Sequence, residues 1–218
     1  MNLKYPGKLI TLEGTEGAGK STNLQFIEEL LRANGIDVIV TREPGGTEIG
    51  EAVRNILLDK KNTAMTTETE LLLMFAARNQ HLQEKILPAL QDGTWVISDR
   101  FTDASYAYQG AARGLPYGRI HELEQWVQQG FHPNMTFVFD LPIEEGMKRI
   151  KARGEKDRFE EEELAFFEKV RSAYLHRAKQ APQRYAVIDA SLPLVEVQTQ
   201  VQQKLKHLCQ TAGKKVCG

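Results

Sequence analysis

The feature that most constrains this chain is an eight-residue stretch near its N-terminus. Gly14 to Ser21 reads GTEGAGKS, a full match to the pattern G-x-x-x-x-G-K-[ST]. It follows a short apolar run, Leu9 to Leu12, that is typical of a β-strand, and a helical pattern begins at Ser21. Glycines let such a loop wrap so that its backbone N–H groups point at phosphate oxygens, and the helix adds its positive end. The stretch therefore predicts a phosphate-binding loop.

Two side chains of this loop carry chemistry. Lys20 can reach the β and γ phosphates of a nucleotide as a point charge, and the Ser21 hydroxyl can ligate Mg²⁺. A glycine-rich turn before a helix cap is the alternative interpretation. The predicted nucleotide contacts are Gly14, Thr15, Glu16, Gly17, Ala18, Gly19, Lys20, Ser21 and Thr22.

Alternating short β-rich runs and helical patterns predict an α/β fold built from βαβ units. The runs VIV, WVIS, FVFD and YAVID are nearly continuously apolar, as expected for parallel strands covered on both faces. Thr67 to Leu90 is the longest helical pattern. No linker marks a second domain, so residues 1–218 are predicted to form one. The predicted strands are Leu9–Leu12, Asp37–Thr41, Trp95–Ser98, Met135–Asp140 and Tyr185–Asp189.

Charge and cysteine content exclude several classes of function. The formal net charge of -1 argues against a partner that is polymeric nucleic acid or an anionic membrane. Cys209 and Cys217 lack CxxC spacing, so we expect incidental thiols. A polar start and the lack of a long apolar run predict no signal peptide, no membrane span and a cytoplasmic location.

Arginines at strand ends indicate a second anionic substrate. Arg42 follows the second strand, Arg54 lies a short helix later, and Arg100 follows the third strand. In an open parallel sheet the carboxyl ends of the strands form the ligand crevice, so Arg42 and Arg100 should meet the phosphate-binding loop there. A kinase must hold such an acceptor, whereas a hydrolase needs only water. Arg42 as a loop cap and Arg54 as a solvated helix residue are the alternatives.

Several blocks together resemble a known family. GTEGAGKS, TREPGGT, FAARNQHL, SDRFTDASYAYQGAARG and ARGEKDRFE occur in the order found in bacterial thymidylate kinases, and the resemblance runs from about Leu9 to Leu208. It implies a doubly wound five-stranded parallel sheet flanked by helices, the nucleoside monophosphate kinase type of P-loop fold. It also implies a homodimer that uses ATP and Mg²⁺ to convert dTMP into dTDP, a DNA precursor.

The family pattern assigns roles residue by residue. The resemblance makes Glu13 a catalytic carboxylate beside the loop that also contacts dTMP. Arg54 and Arg100 hold the dTMP phosphate, with Arg100 also catalytic, and Arg78 donates to the thymine ring. An arginine fork suits both phosphate and carbonyl groups. The block from Ser105 to Gln109 resembles the segment that recognises thymine and its sugar in this family. Within it, Ser105 and Gln109 contact the base and Tyr108 packs by the deoxyribose; a core Tyr108 and a surface Ser105 are the alternatives.

One departure from the pattern concerns the base. Many relatives have a phenylalanine four residues before the thymine-contacting arginine, and this chain has Met74 there with Phe75 next to it. Either the Phe75 ring stacks on thymine from a shifted register, or the polarizable Met74 covers the base. Met74 and Phe75 are both predicted contacts of dTMP. A hydrophobic stripe formed by these two residues and Leu71 is also what core packing alone would produce.

The charged segment from Lys148 to Glu163 has two interpretations. Six basic residues precede four glutamates, which is usual for a solvated helix end. However, ARGEKDRFE resembles the lid of the thymidylate kinases, which supplies a transition-state cation that this loop lacks. Arg153 is then the catalytic arginine, with Arg149 on ATP and Arg158 as a further supporting contact. The three functions left open are a dTMP kinase, a kinase for another acceptor, and an ATPase without an acceptor site.

Overall fold

A computed structural model describes residues 5–151, 158–159 and 162–213, and these residues contain a five-stranded sheet. All strand pairs are parallel, in the order β2-β3-β1-β4-β5. The predicted parallel sheet is confirmed, and every strand begins and ends within one residue of its predicted bounds. The strands are β1 (Leu9–Glu13), β2 (Val38–Arg42), β3 (Trp95–Asp99), β4 (Met135–Asp140) and β5 (Tyr185–Asp189).

Helices cover both faces of the sheet. The long helical pattern predicted from Thr67 is interrupted by a π-helical turn at Leu82–Ile86. Pro88 follows directly, and because its ring would crowd the carbonyl four residues earlier, the wider turn accommodates it. A second π-helical segment, Tyr106–Ala112, continues α5. The helices are α1 (Lys20–Ala33), α2 (Glu48–Leu58), α3 (Thr67–His81), α4 (Leu87–Gln91), α5 (Thr102–Ser105), α6 (Tyr117–Gln128), α7 (Ile143–Lys151), α8 (Leu164–Gln180) and α9 (Leu194–Thr211).

The main core lies between the sheet and helices α1 and α9. All five residues of β1 are buried, which explains why its apolar residues do not alternate with exposed ones. Cys209 of α9 belongs to this core, and burial raises the pKa of its thiol to about 11, consistent with an inert side chain. The two tryptophans differ: Trp95 of β3 is 1% exposed, whereas Trp126 of α6 is 76% exposed. Across the described residues no helix has the length and apolar character needed to cross a bilayer.

The strand order places the ends of β1 and β3 side by side. The Arg100 backbone N–H donates to Leu12 O at 2.9 Å, and Glu43 N–H donates to Asp99 O at 2.9 Å. The loops that follow β1, β2 and β3 therefore all leave the sheet at the carboxyl end of the strands. In a doubly wound sheet this is the point at which ligands bind.

Candidate active site

The phosphate-binding loop packs closely against helix α7. Gly17 has φ 76°, and a Cβ there would lie 2.5 Å from Gly146 O, so only glycine fits. Gly19 has φ 84° and directly precedes α1, which begins at Lys20. Ser21 and Thr22 are exposed in the first turn of this helix. The backbone of the loop and the start of α1 thus have the geometry that suits phosphate groups.

Lys20 folds back over the loop. Its Nζ donates to Gly14 O at 3.0 Å and to Thr15 O at 2.9 Å. Burial, reinforced by the charge of Arg100, lowers the pKa of Lys20 to about 8. An ammonium group with two carbonyl partners can exchange them for phosphate oxygens, which carry full negative charge and would favour its protonated form.

Asp99 joins Ser21 on an open cavity of about 600 Å³ beside the loop. Its Oδ1 is buried and receives no hydrogen bond from any described residue, which marks an acceptor aimed at something outside the chain. Mg²⁺ is held by one or two protein oxygens together with substrate phosphates. The Ser21 hydroxyl and the Asp99 carboxylate lie on this cavity and could supply such oxygens, so they fit the ion.

A second cavity, which we call the acceptor cavity, lies on the other side of Glu16. Its free volume is about 50 Å³, because side chains including Phe159 pack into it. It brings together seven of the nine residues that the sequence assigns to the acceptor. The lining residues are Glu16, Glu43, Pro44, Arg54, Leu58, Met74, Arg78, Arg100, Phe101, Ala104, Ser105, Tyr108, Gln109 and Phe159.

Arg100 stands where the loop meets the acceptor cavity. Its backbone is left-handed, with φ 69°, a strained conformation for a residue with a side chain. Its Nη2 contacts Glu16 Oε1 at 2.6 Å and Tyr108 Oη at 2.9 Å. Burial raises the pKa of Glu16, but the charges of Arg100 and Lys20 outweigh this effect and hold that pKa below its usual range. The strained turn therefore aims a guanidinium at the boundary between the two sites.

Arg78 is 2% exposed and is held from several sides. Its Nε donates to Glu43 Oε2 at 2.7 Å and its Nη1 donates to Ser105 Oγ at 3.1 Å. Burial raises the pKa of Glu43, but Arg78 and His81 outweigh this effect and lower that pKa. Arg78 and Glu43 therefore form an ion pair. His81 in turn contacts Glu43 Oε1 at 3.0 Å and Thr41 Oγ1 at 2.7 Å. This buried chain fixes the direction of the Arg78 fork.

The structure separates the two candidates for covering the base. Met74 lines the acceptor cavity, because it lies one helical turn before Arg78 on the same face of α3. Phe75 does not line it, and its contact with dTMP stays a prediction that this geometry does not favour. The Phe75 ring packs with Leu71 and Tyr106 in the core, 4.7 Å beneath the Arg78 guanidinium. It supports the arginine rather than the ligand.

Glu13 has a different environment from the one that the sequence predicts. Its side chain is fully buried and lines neither cavity; Oε1 accepts the Phe101 N–H at 2.8 Å. Burial, together with the charge of Asp103, raises the pKa of Glu13 to about 8. Glu13 holds the backbone next to Arg100, and the described geometry gives it no direct path to a substrate.

Arg42 meets the phosphate-binding loop, as predicted, but it does not share a cavity with Arg100. Its Nη2 pairs with Glu51 at 2.8 Å on the open cavity beside Ser21, and it does not reach the acceptor cavity. The reason is that β2 is the edge strand, one strand further from β1 than β3. Arg54, by contrast, lines the acceptor cavity and donates to Pro44 O at 2.9 Å.

The predicted lid contributes to both sites. Arg149 Nη1 donates to Gly17 O at 3.2 Å, beside the phosphate-binding loop. Arg158 lies on the acceptor side instead, where its Nε donates to Leu57 O at 2.7 Å. Arg153 lies outside the described residues, as does Cys217, so their predicted roles stay predictions.

Sequence reasoning missed three carboxylates of this region: Asp99, Glu43 and Glu70. Asp99 precedes Arg100 at a strand end next to β1, and that position alone could have indicated a metal ligand. Glu43 and Glu70 gave no comparable signal, because their partners lie 35 or more residues away in the chain.

Comparisons with known proteins agree with this geometry. The sequence model of the thymidylate kinase family matches residues 12–201. The thymidylate kinase of Ectopseudomonas mendocina is 56% identical over 93% of this chain and 96% of its own length, and that of Nitrosomonas eutropha is 57% identical over 88% and 89%. The crystal structure of thymidylate kinase from Ehrlichia chaffeensis, 32% identical, superposes with a TM-score of 0.73 over 92% of this chain and 98% of the other. This chain belongs to the thymidylate kinase family.

Proposed function

We propose that this protein transfers the γ-phosphoryl group of ATP to dTMP, giving dTDP and ADP. The observation that carries the proposal is the position of Arg100, whose guanidinium lies at the boundary between the phosphate-binding loop and the acceptor cavity. A phosphate bound there would have an oxygen directed toward the γ phosphate. Positioning of this kind and charge stabilisation supply most of the catalysis in phosphoryl transfer.

On the ATP side, backbone N–H groups of the loop cradle the phosphates, and Lys20 leaves Gly14 O and Thr15 O to contact them. When bound, Mg²⁺ neutralises charge on the transferred group, and Ser21 with Asp99 would hold it. Arg149 contributes from beside the loop. Arg153 of the lid is proposed as the cation that acts on the equatorial oxygens in the transition state.

On the acceptor side, Arg54 and Arg100 bind the phosphate of dTMP, and Tyr108 packs by the sugar. Arg78, Ser105 and Gln109 form the wall that meets the base. Met74 covers the ring. Because the free volume is only about 50 Å³, a nucleotide enters as side chains such as Phe159 move aside.

We also propose a single kinase domain that forms a homodimer in the cytoplasm. Support for the dimer comes from exposed apolar side chains on helices that pack side by side, α2 with α3 and α3 with α6. Sedimentation equilibrium tests the dimer; a single species at 24.6 kDa would exclude it. The exposed residues are Ile49, Ile56, Leu72, Tyr117 and Trp126.

The decisive experiment measures ADP production with ATP and Mg²⁺ in the presence of dTMP, dUMP, dCMP, dAMP or no acceptor. We expect turnover to require an acceptor and kcat/KM to be highest for dTMP, with dUMP closer to it than dCMP because dUMP lacks only a methyl group. Preference for another monophosphate would make the chain a kinase for that acceptor. Hydrolysis without any acceptor would make it an ATPase.

A further inference from the structure

Glu70 is a buried carboxylate that the proposed mechanism does not use. It lies in α3 behind the acceptor cavity and is 1% exposed. Its Oε1 accepts the Gln109 Nε2–H at 2.8 Å and the Arg113 Nε–H at 2.8 Å, while Oε2 accepts from Arg158 Nη2 at 2.5 Å. A carboxylate at this depth is unusual, and three donors from two separate segments converge on it.

The bond to Glu70 determines which end of the Gln109 amide is free. A carboxylate offers acceptors only, so the amide must turn its NH₂ group toward Glu70. Gln109 is itself 1% exposed yet lines the acceptor cavity. No residue that the structure describes donates a hydrogen bond to its Oε1. The group that Gln109 presents to a ligand is therefore a carbonyl oxygen.

Arg78 presents the opposite character on the same wall. Its guanidinium has donors only, and Glu43 and Ser105 fix its direction. The wall thus offers a fixed donor and a fixed acceptor. Thymine presents the complement along one edge, a carbonyl oxygen beside N3–H. Cytosine presents the reverse, an amino group beside an unprotonated nitrogen, and would leave both groups of the wall unpaired.

We propose that Glu70 is a specificity-determining positioning residue, which fixes the Gln109 amide with its carbonyl oxygen toward the base and so selects thymine over cytosine. This inference rests on the proposed function, since it presumes a pyrimidine monophosphate in the acceptor cavity. Glu70 acts through Gln109 and contacts no reacting atom.

The test compares kcat/KM for dTMP and for dCMP in the parent and in Glu70→Gln. A glutamine at position 70 can donate as well as accept, which frees the Gln109 amide to turn over. We expect the dTMP/dCMP ratio to fall about tenfold or more, with the KM for ATP unchanged. Glu68→Gln makes the same charge change at an exposed position of the same helix and should leave the ratio as it is.

Two further variants separate this role from general support of the fold. Glu70→Asp keeps a negative charge for Arg113 and Arg158, but its shorter side chain withdraws from Gln109, so the dTMP/dCMP ratio should also fall in this variant. If Glu70→Gln does not fold, Glu70→Asp provides the test. In a Gln109→Leu background, Glu70→Gln should lower the ratio no further.

The inference is overturned if folded Glu70→Gln and Glu70→Asp both keep the parent ratio, or if Glu70→Gln lowers it equally with and without Gln109. A parent enzyme that does not use dTMP is a different result, because it would remove the proposed function itself. Thermal denaturation of every variant establishes that the compared proteins are folded.

Discussion

Replacing Glu13 by glutamine should stabilise this protein at alkaline pH. The carboxyl of Glu13 is fully buried, and one of its oxygens accepts the Phe101 N–H. Its pKa rises from the ordinary 4.5 to about 8, through burial and the charge of Asp103. Glutamine keeps the oxygen that Phe101 needs and removes the charge.

Proton linkage determines how the contribution of Glu13 to stability changes with pH. Between pH 4.5 and 8 the folded protein keeps the Glu13 proton that the unfolded chain has lost. Stability from this group is therefore fully present below about pH 4.5 and is lost as the pH rises to about 8. Each pH unit corresponds to about 1.4 kcal/mol, which sets a ceiling of about 5 kcal/mol for the loss.

Urea unfolding of parent and variant at pH 5 and pH 8 measures this. We expect nearly equal free energies of unfolding at pH 5 and a variant that is more stable by at least ~1 kcal/mol at pH 8, which raises Tm by about 2–4 °C per kcal/mol. A stability difference that is the same at both values would refute the reasoning. Turnover of Glu13→Gln should stay within about tenfold of the parent; a folded variant without activity would restore the direct catalytic role inferred from the sequence.

Three further outcomes are expected from the phosphate site. Lys20→Ala should lower kcat by at least ~10²-fold without loss of folding, because the lysine charge acts on the transferred group; near-normal turnover would remove the loop from the mechanism. Arg153→Ala should lower kcat by ~10²-fold or more and leave the KM for dTMP unchanged, with Arg153→Lys restoring only part of it; full kcat would return the segment to a solvated helix end. Asp99→Asn should raise the Mg²⁺ concentration for half-maximal rate about tenfold, and an unchanged Mg²⁺ titration would contradict its assignment.

Local patterns predicted the fold well because the strands and the loop are specified by short-range chemistry. The five strands are short apolar runs, and the phosphate-binding loop is one contiguous motif whose glycines have the left-handed backbone it needs. Helical phase could not separate Met74 from Phe75, because the two lie four and three residues before Arg78 and both neighbour it on the helix.

Long-range pairing is what the sequence could not provide. Arg42 and Arg100 both follow a strand, but only the sheet order shows that Arg42 ends the edge strand. The partners of Glu70 lie 39, 43 and 88 residues away, so no local pattern connects them. Burial itself was equally hidden, because nothing near Glu13 in the chain shows that its carboxyl lies under the Phe101 backbone.

The contrast between the two tryptophans gives the protein a pair of intrinsic fluorescent reporters. Trp95 emits from the main core, so its emission should shift to longer wavelength only when the whole domain unfolds. Trp126 is open to water on α6 and should shift to shorter wavelength when another surface covers that helix. Trp126→Phe leaves Trp95 alone as the emitter. Dilution of the parent would then report association, and denaturation of the variant would report folding, without any attached dye.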